Sequence, residues 1–420
     1  MKELKKIKKI FVRLPHRVPG ILYEPEILGE ESQIGIVLMH SDSDYLDFVP
    51  AQALAERGFR VIAANVTNHQ KPLDQKLPDV GGAVEILKGA PGIRKIVLLG
   101  HSGGATLMTA YQAVAENGEQ IFQGPEKIVK MDPLGQKLIP ADALMLLDAN
   151  FGNGAMTLLS IDPSVMDENS GLKIDPELDL FNPANGYDPE GSCYSEAFIR
   201  KYQKAQGERM NRLIQYAQDR IFAIEHGQGR FVDDEPMVIP GASQIGPNNK
   251  LFPQDVRLLS HTKDAYPLIH ADGSVTEQIV PCVRKPRAGW ADGTGTYSRG
   301  ACITTVRTFL KSSAVRATEA YGYNEDSLYG IDWDSSYCCG EGNVRSIHVP
   351  TLLIGMTGSY EYIAAEAIGK ESAAASKKIA FCEGASHNFD TATETEEYPG
   401  QYGDTVKSLF DYVRDWLMEL

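Results

Sequence analysis

The sequence predicts an α/β chain: a mostly parallel sheet flanked by helices, with a large inserted segment of helices and short strands. Three observations predict it. Apolar runs such as "IGIVLM", "KIVLLG", "ALMLLD" and "TLLIGM" do not alternate with polar residues, which marks strands buried on both faces. Those runs alternate with helix-like stretches, as β–α–β units require. The pattern stops near Ala155 and resumes after Ser346, and a gap of that length is too long for a loop inside a compact domain.

In chain order, Gly20–Glu26 reads as a strand after a proline-marked turn, and Ile34–Met39 as a buried one. "FVPAQALAERG" has helical spacing and stops at Gly58. Phe59–Val66 is the next strand. "PDVGGAVEILKGAPG" reads as a helix with Asp79 as its N-cap. "KIVLLG" is a strand, "GGATLMTAYQAVAENG" a helix, and Ala141–Gly152 a strand with a polar end. After the interruption come strand "HVPTLLIGMTG", helix "YIAAEAIGKESAAAS", strand "KKIAFCEGASHNF" and the closing amphipathic helix "DTVKSLFDYVRDWLMEL". The expected division is a core of residues 1–154 and 347–420 and an inserted cap of residues 155–346. Within the cap, "SEAFIRKYQKAQGERMNRLIQYAQDRIFAIEHG" predicts one or two long helices, and "HADGSV" a hairpin turn at Asp272-Gly273.

The 420 residues are 43% hydrophobic and 23% charged, with a net charge of −15. An acidic surface repels phosphate backbones and anionic lipid, so neither nucleic acid nor membrane is an expected partner. The basic start "MKELKKIKKIF" lacks an apolar run of signal length and reads as a solvated lead-in, which makes a cytoplasmic location the expectation. The six cysteines form no C-x-x-C pair and are expected to be thiols, with a strained vicinal disulfide at Cys338-Cys339 as the alternative.

Gly100-His101-Ser102-Gly103-Gly104 fits G-x-S-x-G, with a strand before it and a helix after it. A serine hydroxyl is a weak nucleophile and must project free of the backbone; a cramped strand-to-helix turn does this, and small neighbours relieve the crowding. No Lys-Ser/Thr follows and the glycines do not fit G-x-G-x-x-G, which argues against a nucleotide loop. With this motif in this context, the chain resembles the α/β-hydrolase superfamily over residues 20–150 and 347–420. The resemblance implies a nucleophile, an acid and a histidine in that chain order, with a cap where the inserted segment lies.

In "EGASHNFD", His387 looks like the family's histidine loop, and a ring that titrates near neutral pH suits a general base. His40 and His101 read as wall residues, while His261 and His270 lie in the insertion and could touch substrate. The acid departs from the family pattern: Gly358 stands in "LIGMTGSYEY" where the family places an Asp. The candidates are Asp148, after the preceding strand, Glu361, three residues beyond Gly358, and Glu366 on the next helix. The resemblance also implies oxyanion donors at the N–H groups of Gly103 and Asp42. Ser41 stands where the family often has Gly and adds a nearby hydroxyl, and His101 is grouped with these substrate-side residues. The acidic run Asp42, Asp44 and Asp47 lacks the Gly and Glu of a calcium loop.

The expected activity is hydrolysis of a carboxylic ester or lactone of a small molecule through an acyl-enzyme on Ser102, with no metal or organic cofactor. Phe181, Tyr187, Tyr194, Trp290, Tyr297 and Trp333 in the insertion suggest an apolar or aromatic substrate, unless they form the insertion's own core. Thioester, C–C bond or acyl-transfer chemistry on the same residues, or a receptor with little turnover, are the alternatives. A dehalogenase would need Asp in place of Ser102. Homodimerisation through the insertion is a further expectation.

Overall fold

The computed structural model describes residues 4–170, 173–243, 249–286 and 300–420. The early strands are β1 (Ile7–Arg13), β2 (Pro19–Pro25), β3 (Ile34–Met39), β4 (Arg60–Ala64), β5 (Lys95–Ser102) and β6 (Ala143–Ala149). The inserted segment adds β7 (Pro236–Pro240), β8 (His261–Ile269), β9 (Val275–Pro281), β10 (Ala301–Thr305), β11 (Arg316–Tyr323) and β12 (Leu328–Asp332). The chain returns through β13 (Thr351–Met356) and β14 (Lys377–Cys382).

One ten-stranded sheet has the order β1-β2-β4-β3-β5-β6-β13-β14-β8-β9. From β4 through β8 every neighbouring pair is parallel; β1, β2 and β9 are antiparallel additions at the edges. Parallel strands point their carboxyl ends the same way, so the loops after β3, β5, β6, β13 and β14 meet along one rim.

The unbroken apolar runs are explained by burial on both faces. Val37 and Met39 enter one hydrophobic cluster and Ile36 and Leu38 the other, as a pleat of period two dictates. Helices α1 (Val49–Glu56) and the closing Thr405–Glu419 cover the second face with Leu54, Phe410 and Trp416. Helices α2 (Leu77–Gly89) and α3 (Gly103–Asn117) cover the first with Val80, Ala83, Leu107 and Met108.

Four expectations change. The basic start is an edge strand, β1, paired with β2 and largely exposed; lysine on an edge blunts further pairing. Asp79 does not cap its helix, which begins two residues earlier; its carboxylate takes the N–H and hydroxyl of Thr67, each at 2.7 Å. The helix after β13 stops at Glu371, short of the expected alanines. The inserted segment also does not stand wholly apart from the core. Its hairpin β8–β9, turning at Asp272-Gly273 as the sequence predicts, extends the central sheet beside β14. Its single long helix, Glu196–Glu225, buries Tyr202, Met210 and Leu213 in the same cluster as α3. Two small antiparallel ribbons, β7–β10 and β11–β12, complete it.

Cys338 and Cys339 are free, buried thiols. Among the described residues, no helix is long and apolar enough to cross a membrane.

Candidate active site

Strand β5 ends at Ser102 and α3 begins at the next residue. Ser102 has φ 51° and ψ −130°, a left-handed conformation costing roughly 1–3 kcal/mol that persists only when its surroundings enforce it. They do. A Cβ on Gly100 would lie 2.7 Å from the Ala105 Cα, and one on Gly104 would lie 2.6 Å from the Met39 carbonyl oxygen. Only glycine lets the backbone close so tightly on both sides of the serine.

His387 sits on the loop after β14. Its Nδ1 is 2.6 Å from Asp148 Oδ2. Asp148, at the end of β6, is 1% exposed and itself has φ 45°. Its other oxygen accepts the Met356 N–H at 2.8 Å, so the carboxylate is held from both ends. Glu361 is the second carboxylate there, with Oε2 4.0 Å from the same ring nitrogen. Glu366 turns elsewhere: it accepts the N–H groups of Lys263 and Asp264 and pairs with Lys370. Gly358 cannot carry the Asp that the family pattern expects. A Cβ there would meet the Ala385 carbonyl oxygen at 2.8 Å, because the histidine loop packs onto it.

His101 ties the histidine loop to the elbow. Its Nε2 bonds the His387 carbonyl at 2.7 Å, and its Nδ1 meets the Tyr45 hydroxyl at 2.5 Å. The His101 and His387 rings lie 4.5 Å apart, centroid to centroid. Complete burial holds His101 well below the usual histidine range, and the nearby His387 adds to the effect. A neutral ring then donates from Nε2 and accepts the tyrosine hydroxyl at Nδ1.

The loop after β3 differs from expectation. The Asp42 N–H does not face the elbow; it donates to His40 Nδ1 at 2.9 Å, as does the Ser43 N–H at 3.0 Å. Burial lowers His40 to about 4, which keeps that nitrogen free to accept. Ser41 stands nearest the elbow: its Oγ is 3.0 Å from where a Gly103 Cβ would be, beside the Asn153 side chain. The Asn153 amide donates to that Oγ at 3.3 Å, and Ser41 donates on to Asp42 at 2.5 Å. Buried Lys76 clamps the loop from behind through the Ser41 carbonyl at 2.9 Å and Asp42 Oδ1 at 3.2 Å.

Beside His387 lies a cleft of about 350 Å³ lined by Ser386, Tyr360, Glu394 and, from the insertion, Pro253, Arg284 and Lys285. Four of the aromatic residues that suggested an aromatic substrate lie among other partners or line no cleft beside His387. Phe181 packs edge-on against Tyr187, Tyr194 stacks on Phe198, and Trp333 lines a separate cleft. Trp290 and Tyr297 fall outside the described residues. His270 bonds Glu383 and Thr276, and His261 bonds the Thr262 carbonyl.

Lys76, Asn153, Tyr45 and Lys250 shape this site without a local sequence signal, because each acts on residues distant in the chain. Lys250 is wholly buried, and burial pushes it down to about 8 against the pull of Glu361. Among the described residues no three side chains cluster as metal ligands.

No family model matches the chain, and no curated protein matches it. Solved structures match along nearly its whole length at low identity. An α/β hydrolase, GrgF, from Penicillium is 12% identical with a TM-score of 0.42, covering 99% of this chain and 98% of that one. Est1E from Butyrivibrio proteoclasticus is 12% identical at 0.39, and the proline iminopeptidase of Mycobacterium smegmatis 12% at 0.38; each match covers 98% of both chains. With a mostly parallel sheet, a serine at a strand-to-helix bend and a histidine loop after a later strand, the chain has the α/β-hydrolase fold.

Proposed function

We propose that the protein is a serine hydrolase that cleaves a carboxylic ester or lactone through an acyl-enzyme on Ser102, with His387 as base and Asp148 as its orienting acid. The observation that carries this reading is the 2.6 Å contact between His387 Nδ1 and a doubly anchored Asp148, on a loop bonded to the residue before Ser102.

In this reading Ser102 Oγ attacks the carbonyl carbon while His387 Nε2 takes its proton. Asp148 holds the tautomer and stabilises the imidazolium. The oxyanion rests on the Gly103 N–H; the Asp42 N–H first expected as its second donor is turned to His40 Nδ1, and the one Ser41 hydroxyl proton is held by Asp42. His387 returns the proton to the departing alkoxide, and water then hydrolyses the acyl-enzyme by the same path. The cleft beside His387, with insertion residues on one wall, supports a role for residues 155–346 in shaping access.

A fluorophosphonate probe tests the reading. Wild type labels and the Ser102→Ala variant does not, with ester hydrolysis lost by about 10⁴-fold or more. Labelling that survives the substitution, or a folded wild type that never labels, would overturn it. Aryl esters run beside thioesters and lactones decide which bond is preferred.

A further inference from the structure

His387 faces two carboxylates, and the mechanism above uses one. Glu361 is 5% exposed, its Oε2 has no hydrogen-bond partner among the described residues, and that oxygen lies 4.0 Å from His387 Nδ1. Lys250, from the inserted segment, is completely buried and opposes Glu361 electrostatically. Its ammonium lies 5.9 Å from the Tyr360 ring centroid. A buried carboxylate aimed at a ring nitrogen and matched to a buried cation has no evident role in the sheet.

We propose that Glu361, charge-matched by Lys250, is a positioning residue for His387: it supplies a second negative charge at Nδ1 that stabilises the imidazolium formed in each half-reaction. This deepens the hydrolase reading and rests on it. It also gives the inserted segment a part in setting the base, since Lys250 acts on His387 through Glu361.

The charge count is consistent. With His387 protonated, Asp148 and Glu361 are balanced by the imidazolium and Lys250. His101, 4.5 Å away and held neutral, and His40, lowered to about 4, also face the ring and supply no competing charge near neutrality; the cleft beside it carries Arg284, Lys285 and Glu394, which stay the same in every variant compared. Glu361 itself faces Lys250, His387, Asp148, Tyr360 and Tyr45. Burial, with Asp148, holds its carboxyl above the usual range on balance, against the downward pull of His387, Lys250 and a hydrogen bond with Tyr360.

The test is the ring titration of His387 by NMR in a Ser102→Ala background, where no turnover is needed. Removing an opposite charge about 4 Å away lowers the midpoint by about one pH unit in Glu361→Gln. In the active enzyme the acid limb of kcat/KM moves down equally, and the plateau falls about tenfold. Lys250→Met lowers the midpoint in the Glu361 background and adds nothing in Glu361→Gln. Should the single Glu361→Gln chain not fold, the Lys250→Met/Glu361→Gln pair, which removes both buried charges, carries the same measurement. A midpoint unmoved by loss of Glu361 while Ser102-dependent turnover persists overturns this proposal alone. Turnover that survives Ser102→Ala overturns the hydrolase reading beneath it.

Discussion

Strand β5 and the long helix Glu196–Glu225 stay folded by different means. In β5, Ile96 and Leu98 bury on one face of the sheet and Val97 and Leu99 on the other, so apolar surface holds it in place. The helix turns polar side chains inward. Gln203 donates to the Tyr323 carbonyl, and Gln206 to those of Leu159 and Ile161. Arg209, fully buried, collects Glu168 and the carbonyls of Asp162 and Pro240. Arg284 does the same for Phe252, Leu258 and Leu259. The sheet is a general device that many apolar sequences could build. The inserted segment adds to its apolar contacts, Tyr202, Met210 and Leu213 among them, a set of individual ties, each specific to one carbonyl or carboxylate.

If that contrast holds, loss of chemistry and loss of stability separate along the chain. The largest effect falls in the parallel part. Asp148→Asn keeps the side chain's shape but cannot accept the Nδ1–H of the working tautomer, and we expect kcat to fall about 10²–10⁴-fold. The melting temperature should change little, since the amide oxygen can still accept the Met356 N–H. Full activity in that variant would break the contrast at its centre and move the acid's role to Glu361.

The same contrast explains what could be read from the residues. β3 runs from Ile34 to Met39, as its six apolar or small residues predict, and the elbow glycines carry the meaning expected of them. The long helix was visible as a helix, but its partners were not: Gln206 and Arg209 look like solvent-facing residues until carbonyls some 40 positions away are brought to them. The Asp42 N–H was misassigned for a similar reason. Family spacing located the loop after β3, but the turn of its amide toward His40 Nδ1 depends on a ring held neutral by burial, which spacing does not encode. Among the acids, Asp148 and Glu361 look alike in sequence. Distance to one nitrogen separates them, 2.6 Å against 4.0 Å.

A smaller effect should follow in the insertion. Arg209→Met leaves the Asp162 and Pro240 carbonyls without their donor, while Glu168, 42% exposed, turns to water; an orphaned buried acceptor costs about 1–3 kcal/mol. Urea unfolding should register that loss, while kcat per folded molecule stays within about threefold of wild type. A variant as stable as wild type would mean the insertion, like the sheet, is held by its apolar contacts.

The smallest expected effect is a pH dependence in the parallel part. His40 is lowered from 6.5 to about 4, with burial the main cause. Between those values the unfolded chain binds a proton that the folded chain refuses, so stability falls as pH drops through that window and is fully recovered above about 6.5. The contribution is on the order of 3 kcal/mol, at roughly 1.4 per pH unit. His101, also held low, titrates outside the folded state in the same direction. His40→Asn isolates the effect, because the amide oxygen can take over from Nδ1 as acceptor for the Asp42 and Ser43 N–H groups without titrating. Thermal melts from pH 7 to pH 4 should therefore fall less steeply in the variant, with activity at pH 7 preserved. Parallel slopes for the two proteins would show that His40 takes up its proton without disturbing the loop, and acid sensitivity would then have to be sought among the carboxylate ties of the inserted segment.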